Sequence, residues 1–563
     1  MRLPGFGPER ADLVALMVYD CPRFIFDAYA RRLLRQAGYE MGRGYEDARR
    51  AHEAAMTGSG LGIGRHKDFH GLIIAACQRA RAAGGRRDND AGLIDRIVEA
   101  GPGHGRLSAP EVSTGPGRDV PGQRVQDARR PMEGDWTVTD ILDELQWRGL
   151  IAQHTDIDAL RAALADGTVT FYCGFDPTAP SLHHGHLVAV KVMRHLQLAG
   201  HRPLALVGGA TGLIGDPRAK GERSLNTKDV VAGWAADLQE QLENLLDFSG
   251  DNPARIVNNL DWTQAMSAID FLRNLGKHFR MGTMLSKDIV ARRLASEEGI
   301  SYTEFSYQVL QANDYLELYR RYGCTLEVGG NDQWGNLVGG MDLIHKVEGA
   351  SVHVMTNPLI TKADGTKFGK SEGGAIWLNP EMLSPYAFYQ FWLQVDDADV
   401  VRFLKVFTFL EREEIEHLEA VTAENPKARE AQRALAHEVT TWVHGAEATA
   451  QAEAATAALW GGGDLADIDE ATILAATADL ASGDVVTGET TIVDLLVSTR
   501  LERGRNAARK TIAGGGAYLN NVKVEDDATV IGPEHLLAGG VVLVRKGRRN
   551  LAVGRSAQFP SEI

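Results

Sequence analysis

Cysteine is scarce: four residues in 563, at Cys21, Cys77, Cys173 and Cys324, with no CxxC pair. That excludes a disulfide framework and a cysteine-built zinc cluster, and it fits a reducing cytoplasm. Long apolar runs are also missing. No stretch approaches the roughly 18 consecutive apolar residues of a membrane helix. The opening residues MRLPGFGPERAD meet charge before any apolar run, unlike a signal peptide. Basic charge is in deficit, with 60 Lys and Arg against 75 Asp and Glu, net −15. This excludes a protein that coats nucleic acid with its whole surface, but not a local basic patch. The deficit is uneven. Residues 1–134 carry 21 basic and 17 acidic residues, net +4, and the remaining 429 carry net −19. What is present is ordinary for a globular protein: 44% apolar and 24% charged residues. At roughly 150 residues per domain, the length predicts three to four domains.

The texture changes along the chain. Residues 1–83 read as helices, and 84–131 (GGRR, GPGHG, SAPEVSTGPG) as a disordered linker. Helical periodicity resumes at Val138–Arg148. From residue 168, short apolar strands alternate with helices. The strands are 168–175, 202–212, 254–262, 324–333 and 350–360, and the helix 184–200 ends in glycine. Such alternation predicts a parallel sheet with helices on both faces. Residues 384–482 are helical and rich in Ala and Glu, and SGDVVTGET follows as a turn. Two more helices, a glycine turn, a strand and a basic hairpin close the chain.

Two short motifs carry chemistry. His183-His184-Gly185-His186 follows the first strand. A helix starting there offers free N–H groups and a positive dipole end to phosphate. Gly185 permits close approach of a base, and His183 and His186, three apart, share one helix face. Alone, the motif is a weak signal, and a helix cap bearing surface histidines is the commoner reading. Lys367-Phe368-Gly369-Lys370-Ser371 puts two lysines in a glycine-flanked loop. Such a pair can follow charge as pyrophosphate leaves, but for the pentapeptide alone a solvated basic loop is the favoured reading. It is not a P-loop, because no opening glycine stands five residues before Gly369.

Together and in this order, the motifs resemble the HIGH and KMSKS signatures of class I aminoacyl-tRNA synthetases. The segments FYCGFDPTAPSLHHGHL, GGATGLIGDP, FSYQVLQANDY, VGGNDQWGN and TKADGTKFGKSEGGAIWL are similar to bacterial tyrosyl-tRNA synthetases, from about residue 136 onward. The resemblance implies a Rossmann-like α/β catalytic domain (132–383), an α-helical anticodon-binding domain (384–482) and a small α+β ribosomal S-four-like RNA-binding domain (489–556). It implies that Tyr172 and Asp314 meet a tyrosine phenol, and that Tyr307, Gln311 and Asp216 hold the ammonium with Gln333 near the carboxylate. Tyr307, Gln311 and Asp314 also fall on one helix stripe by spacing alone. Around ATP the resemblance places Cys173, Gly174, Asp176, Thr178, Gly185 and Asp332, with His183 and His186 at the phosphates. Lys220, Arg223, Lys367, Lys370 and Ser371 match mobile cationic loops. His184 replaces a branched aliphatic residue and is expected only to pack. Mg²⁺ is expected to accompany ATP, with no resident metal. The implied partners are L-tyrosine, ATP, tRNA(Tyr) and a second copy of the chain, paired through helices near residues 260–300.

The ends differ in kind. Arg500, Arg503, Arg505, Arg509 and Lys510, with Lys546, Arg548 and Arg549, form a cationic cluster suited to tracking RNA phosphates. At the front, Leu3–Asp12 resembles the helix-hairpin-helix of endonuclease-III-like DNA glycosylases. Asp27 matches their catalytic aspartate, and Glu9 stands where bifunctional members carry lysine. Only about 85 residues match. A remnant, an active glycosylase and a translation start near Met132 are the alternatives here.

Overall fold

The computed structural model describes residues 140–556 except 219–220, 222–224, 367, 370–374, 462 and 548. The helix-hairpin-helix and linker assignments lie outside the described residues.

Six strands form the first sheet: β1 (Gln153–His154), β2 (Thr170–Phe175), β3 (Arg202–Val207), β4 (Arg255–Asn258), β5 (Cys324–Gly330) and β6 (His353–Asn357). Their order is β1-β6-β5-β2-β3-β4. All neighbours are parallel except β1, which pairs antiparallel on the β6 edge. The five parallel strands fall inside the five apolar segments read from the sequence. Strands β2 and β3 are buried almost throughout, as expected for parallel strands covered on both faces.

Helix α1 (His184–Leu198) covers one face. Helices α2 (Tyr302–Tyr322) and α3 (Trp334–Glu348) cover the other. Ser301 caps α2 by accepting from the Glu304 N–H at 3.2 Å, and Gly323 ends it at φ 64°, a left-handed position that favours glycine. The strand order reverses at β2: β3 and β4 lie to one side, β5 and β6 to the other. A ligand crevice is therefore expected at the carboxyl ends of β2 and β5.

Helices from Pro385 to Thr477 follow, and their core is continuous with the α1 face of the sheet. At this seam Arg148 is buried and donates to the carbonyls of Lys405, Thr408 and Leu410. A second sheet has the order β7-β11-β10-β8-β9, built from Ser482–Val485, Asn550–Ser556, Val541–Lys546, Ala517–Leu519 and Val522–Lys523. The residue types of Ser482–Val485 predict a turn. The segment is instead a strand, because the terminal strand offers it a parallel edge. The second sheet is fastened to the helix Ala446–Gly461 at its carboxyl end. Asn521 donates to the carbonyls of Ala458 (2.8 Å) and Gly463 (3.1 Å), and Arg545 to that of Leu459 (2.7 Å).

Candidate active site

The first motif forms the start of α1. His183 is the N-cap, and its Nδ1 accepts from the Gly185 N–H at 3.1 Å. In return, His186 Nδ1 accepts from the His183 N–H at 3.1 Å. The two rings stack with centroids 3.9 Å apart. With each Nδ1 accepting, each neutral ring carries its proton on Nε2 and has that N–H as its donor. Burial pushes both imidazole pKa values down, His186 furthest, so the neutral form dominates. A side chain at Gly185 would place its Cβ 2.9 Å from His183 Cε1, so glycine keeps this cap closed.

His184 does more than pack. It is buried, its N–H donates to the Ile376 carbonyl (2.9 Å), and its Nε2 lies 3.1 Å from the Phe368 carbonyl. It thus ties α1 to the second motif. Gly369 has φ 75°, and a Cβ there would fall 2.0 Å from His184 Cε1. Lys367, Lys370 and Ser371 lie outside the described residues, as do Lys220 and Arg223. The base of the latter loop is described: buried Arg293 donates to the carbonyls of Arg218 (3.1 Å) and Gly221 (2.7 Å) and pairs with Glu304 at 2.9 Å.

A polar network fills the crevice between β2 and α2. Tyr307 donates to Asp176 Oδ2 at 2.7 Å, and Thr211 to Asp176 Oδ1 at 2.6 Å. Asn259 donates to both Thr211 Oγ1 and Asp314 Oδ2 at 2.9 Å. Trp262 Nε1 donates to Asp314 Oδ1 at 2.8 Å. Tyr172 is buried on β2, within reach of the Asp314 charge. Burial pushes the Asp314 carboxyl up to about 7, against the pull of its two N–H donors. Beyond β5, Gln333 donates to Asp216 Oδ2 (2.9 Å) and Asn336 to Asp216 Oδ1 (3.3 Å). Lys287 donates to Asn336 Oδ1 at 3.2 Å, and burial lowers its pKa to about 8. Gln311 is half-buried. Cys173 is buried, which pushes its thiol up to about 12 and keeps it neutral. Gly174, Thr178 and Asp332 are exposed at the mouth.

Such a crevice offers a deep polar floor for a phenol and neutral N–H donors at its rim for phosphate. Residues 165–461 match the profile of the class I tRNA synthetases for tryptophan and tyrosine, and residues 472–553 match the tyrosine–tRNA ligase SYY-like C-terminal domain. The chain belongs to the tyrosine–tRNA ligase family. The Streptomyces coelicolor tyrosine–tRNA ligase is 61% identical over 416 residues, 74% of this chain and 98% of that protein. The Acidothermus cellulolyticus tyrosine–tRNA ligase is 56% identical over 423 residues, 74% and 99% of the two chains. Among solved structures, a C-terminally truncated Aspergillus nidulans mitochondrial tyrosyl-tRNA synthetase matches with a TM-score of 0.52 and 30% identity. That match covers 59% of this chain and 96% of that one.

Sequence reading for a tyrosine–tRNA ligase missed Thr211, Asn259, Trp262, Lys287, Glu327 and Asn336. Asn259 and Trp262 follow β4, and the rule that ligands sit beyond strand ends could have flagged them. Thr211 and Asn336 lie inside the segments GGATGLIGDP and VGGNDQWGN, where no role is assigned to them, and nothing in the sequence marks Lys287 or Glu327. The predicted RNA-facing cations Arg500, Arg505, Arg509, Lys510 and Arg549 are exposed on the terminal module, and Arg548 lies outside the described residues. Arg505 pairs with Asp494 (2.6 Å), Arg509 with Asp527 (3.1 Å) and Lys546 with Glu502 (2.9 Å).

Proposed function

We propose that the chain joins L-tyrosine to tRNA(Tyr) in two steps. The tyrosine carboxylate attacks the α-phosphate of ATP and expels pyrophosphate. The terminal ribose hydroxyl of the tRNA then attacks the tyrosyl-adenylate. The observation that carries this reading is the buried Asp314, oriented by Asn259 and Trp262 beside Tyr172. A phenol hydroxyl satisfies that pair, whereas a phenyl ring leaves it unpaired at a cost of about 1–3 kcal/mol per buried group.

In this reading Tyr307, Gln311 and Asp216 take the ammonium, and Gln333 lies near the carboxylate. Cys173, Gly174, Asp176, Thr178, Gly185 and Asp332 surround the nucleotide. His183 and His186 donate to phosphate through Nε2–H. Lys220, Arg223, Lys367, Lys370 and Ser371 stabilise the departing pyrophosphate. No side chain serves as nucleophile, so catalysis is positioning plus charge stabilisation. Mg²⁺ arrives with ATP and screens the triphosphate charge. Among the described residues no cluster of three or more His, Cys, Asp or Glu is placed to hold an ion.

Residues 132–383 serve as the catalytic domain, 384–482 as the anticodon-binding domain and 489–556 as the RNA-binding module, where Arg500, Arg505, Arg509, Lys510, Arg548 and Arg549 face phosphate. A cytoplasmic homodimer completes the reading. Its support is the exposed apolar set Ile269, Leu272, Met281, Leu294 and Tyr302. The test is tyrosine-dependent exchange of pyrophosphate into ATP. The chain should catalyse it, and Lys370→Ala should abolish it. Exchange that persists in the variant refutes the assigned role.

A further inference from the structure

Glu327 is the one buried acid in the crevice without an assigned role, and it sits at a telling place. It is the register partner of Tyr172 across the parallel β2–β5 pair, so the two side chains leave the sheet side by side. It is 2% exposed. Its Oε1 accepts only from Gln311 Nε2, at a long 3.4 Å. Its Oε2, the Tyr172 hydroxyl and Gln311 Oε1 are all buried without a well-formed partner among the described residues. Three such atoms together imply polar atoms that await a ligand or a proton.

We propose that Glu327 is a positioning residue for tyrosine recognition: held as the neutral acid, it donates its proton to the Tyr172 oxygen and so turns the Tyr172 hydroxyl toward the substrate phenol. The inference rests on the ligase reading above. The resulting chain runs one way, from Glu327 to Tyr172, from Tyr172 to the phenol, and from the phenol to Asp314. Each hydroxyl donates once and accepts once, and the chain ends on a carboxylate, so its members polarise one another. If Glu327 ionises, the Tyr172 proton turns back to it. The phenol and Tyr172 oxygens then face each other with no proton between them.

Two carboxyls in one dry crevice do not both carry charge readily. Asp314 has two N–H donors at 2.8–2.9 Å, and Glu327 has one at 3.4 Å, so Asp314 takes the charge and Glu327 keeps the proton. Burial accordingly pushes the Glu327 carboxyl up to about 8, against the pull of its contacts with Tyr172 and Gln311 and with the Asp314 charge adding to the rise. The titratable neighbours of Glu327 on its own face of the sheet are Tyr172 on β2, Asp314 and Tyr315 on α2, and Cys324 on β5, with Cys173 on the opposite face of β2. On α3, Gly340 comes close, a Cβ there lying 3.4 Å from Oε2, and β6 presents Val354 in register. No cation faces the group among these.

The test is the tyrosine KM in pyrophosphate exchange from pH 6.5 to 9.5, for the wild type and Glu327→Gln. The glutamine amide donates at every pH. At pH 7 the two KM values should agree within about threefold, since one neutral donor replaces another. Above the Glu327 ionisation, the wild-type KM should climb relative to the variant by about tenfold per pH unit. Both share the limb from Asp314, which binds best when ionised. Parallel profiles overturn the proposal. So does a flat wild-type KM above pH 8, which needs no variant. A wild type with no tyrosine-dependent exchange overturns the ligase reading, and this inference with it.

Discussion

At the residue scale the crevice is decided by which buried groups hold protons. Tyr172 is 2% exposed, and burial raises its hydroxyl pKa well above the ordinary value, so it is a neutral donor throughout the working range. In the proposed reading, Tyr172→Phe removes one neutral hydrogen bond to the phenol. We expect a loss of about 1 kcal/mol, roughly fivefold in kcat/KM for tyrosine, with phenylalanine activation unchanged. Steady-state exchange with both amino acids checks this, and an equal loss for both would remove Tyr172 from phenol recognition. The stripe Tyr307, Gln311, Asp314 is legible in the sequence because helical spacing displays it. The partners that fix its geometry are not. Asn259 and Trp262 reach Asp314 from 55 and 52 residues away, and no local pattern reports such a contact.

At the element scale α1 joins the catalytic sheet to the helical region. Its sequence announces the helix and the histidine cap, but not what its buried side chains meet. His184 stands in the sequence as a packing substitute and in the fold holds the loop at Phe368. Lys191 is fully buried at the seam, with Nζ 3.1 Å from the Phe409 ring centre and 3.8 Å from that of Trp442. Burial lowers its pKa well below the ordinary lysine value, with Arg148 adding to the fall and Glu438 opposing it. Between that lowered value and about 10.4, the unfolded chain holds a proton that the folded chain lacks, so stability rises with pH across this window. Lys191→Met, which carries no charge to desolvate, should stabilise the chain by about 1–4 kcal/mol near pH 7. The gain should shrink toward pH 10. Thermal melts at several pH values measure this, and a variant that melts lower at pH 7 contradicts it.

At the scale of the whole molecule, charge is uneven. The parallel sheet is foreseeable, because each strand is an apolar run alternating with helices, whereas the strand order is not read from the sequence. Strand β7 is not, since SGDV is a strand only by virtue of the distant edge it joins. The terminal module's cations stand on an acidic chain, and several are held by acidic neighbours that orient them. Arg509→Glu with Lys510→Glu should weaken tRNA charging. It should also reduce the salt dependence of charging, by about one unit of logarithmic slope for each phosphate no longer neutralised. Pyrophosphate exchange, which needs no RNA, should be unchanged. Aminoacylation at graded salt tests the first part, and loss of exchange would show damage beyond the proposed RNA surface.

The reciprocal cap of His183 and His186 has a bearing on turnover. Because each Nδ1 is occupied as an acceptor, forming an imidazolium would require one cap bond to open. The helix start therefore holds the pair uncharged. In the two-step reading these rings touch phosphate as dipoles, each through one N–H···O bond assisted by the charge of the phosphate alone. The permanent charge resides in the lysine loops, so the binding that must be relinquished when pyrophosphate leaves is concentrated in separate segments of chain, and the helix need not rearrange between one tyrosine and the next.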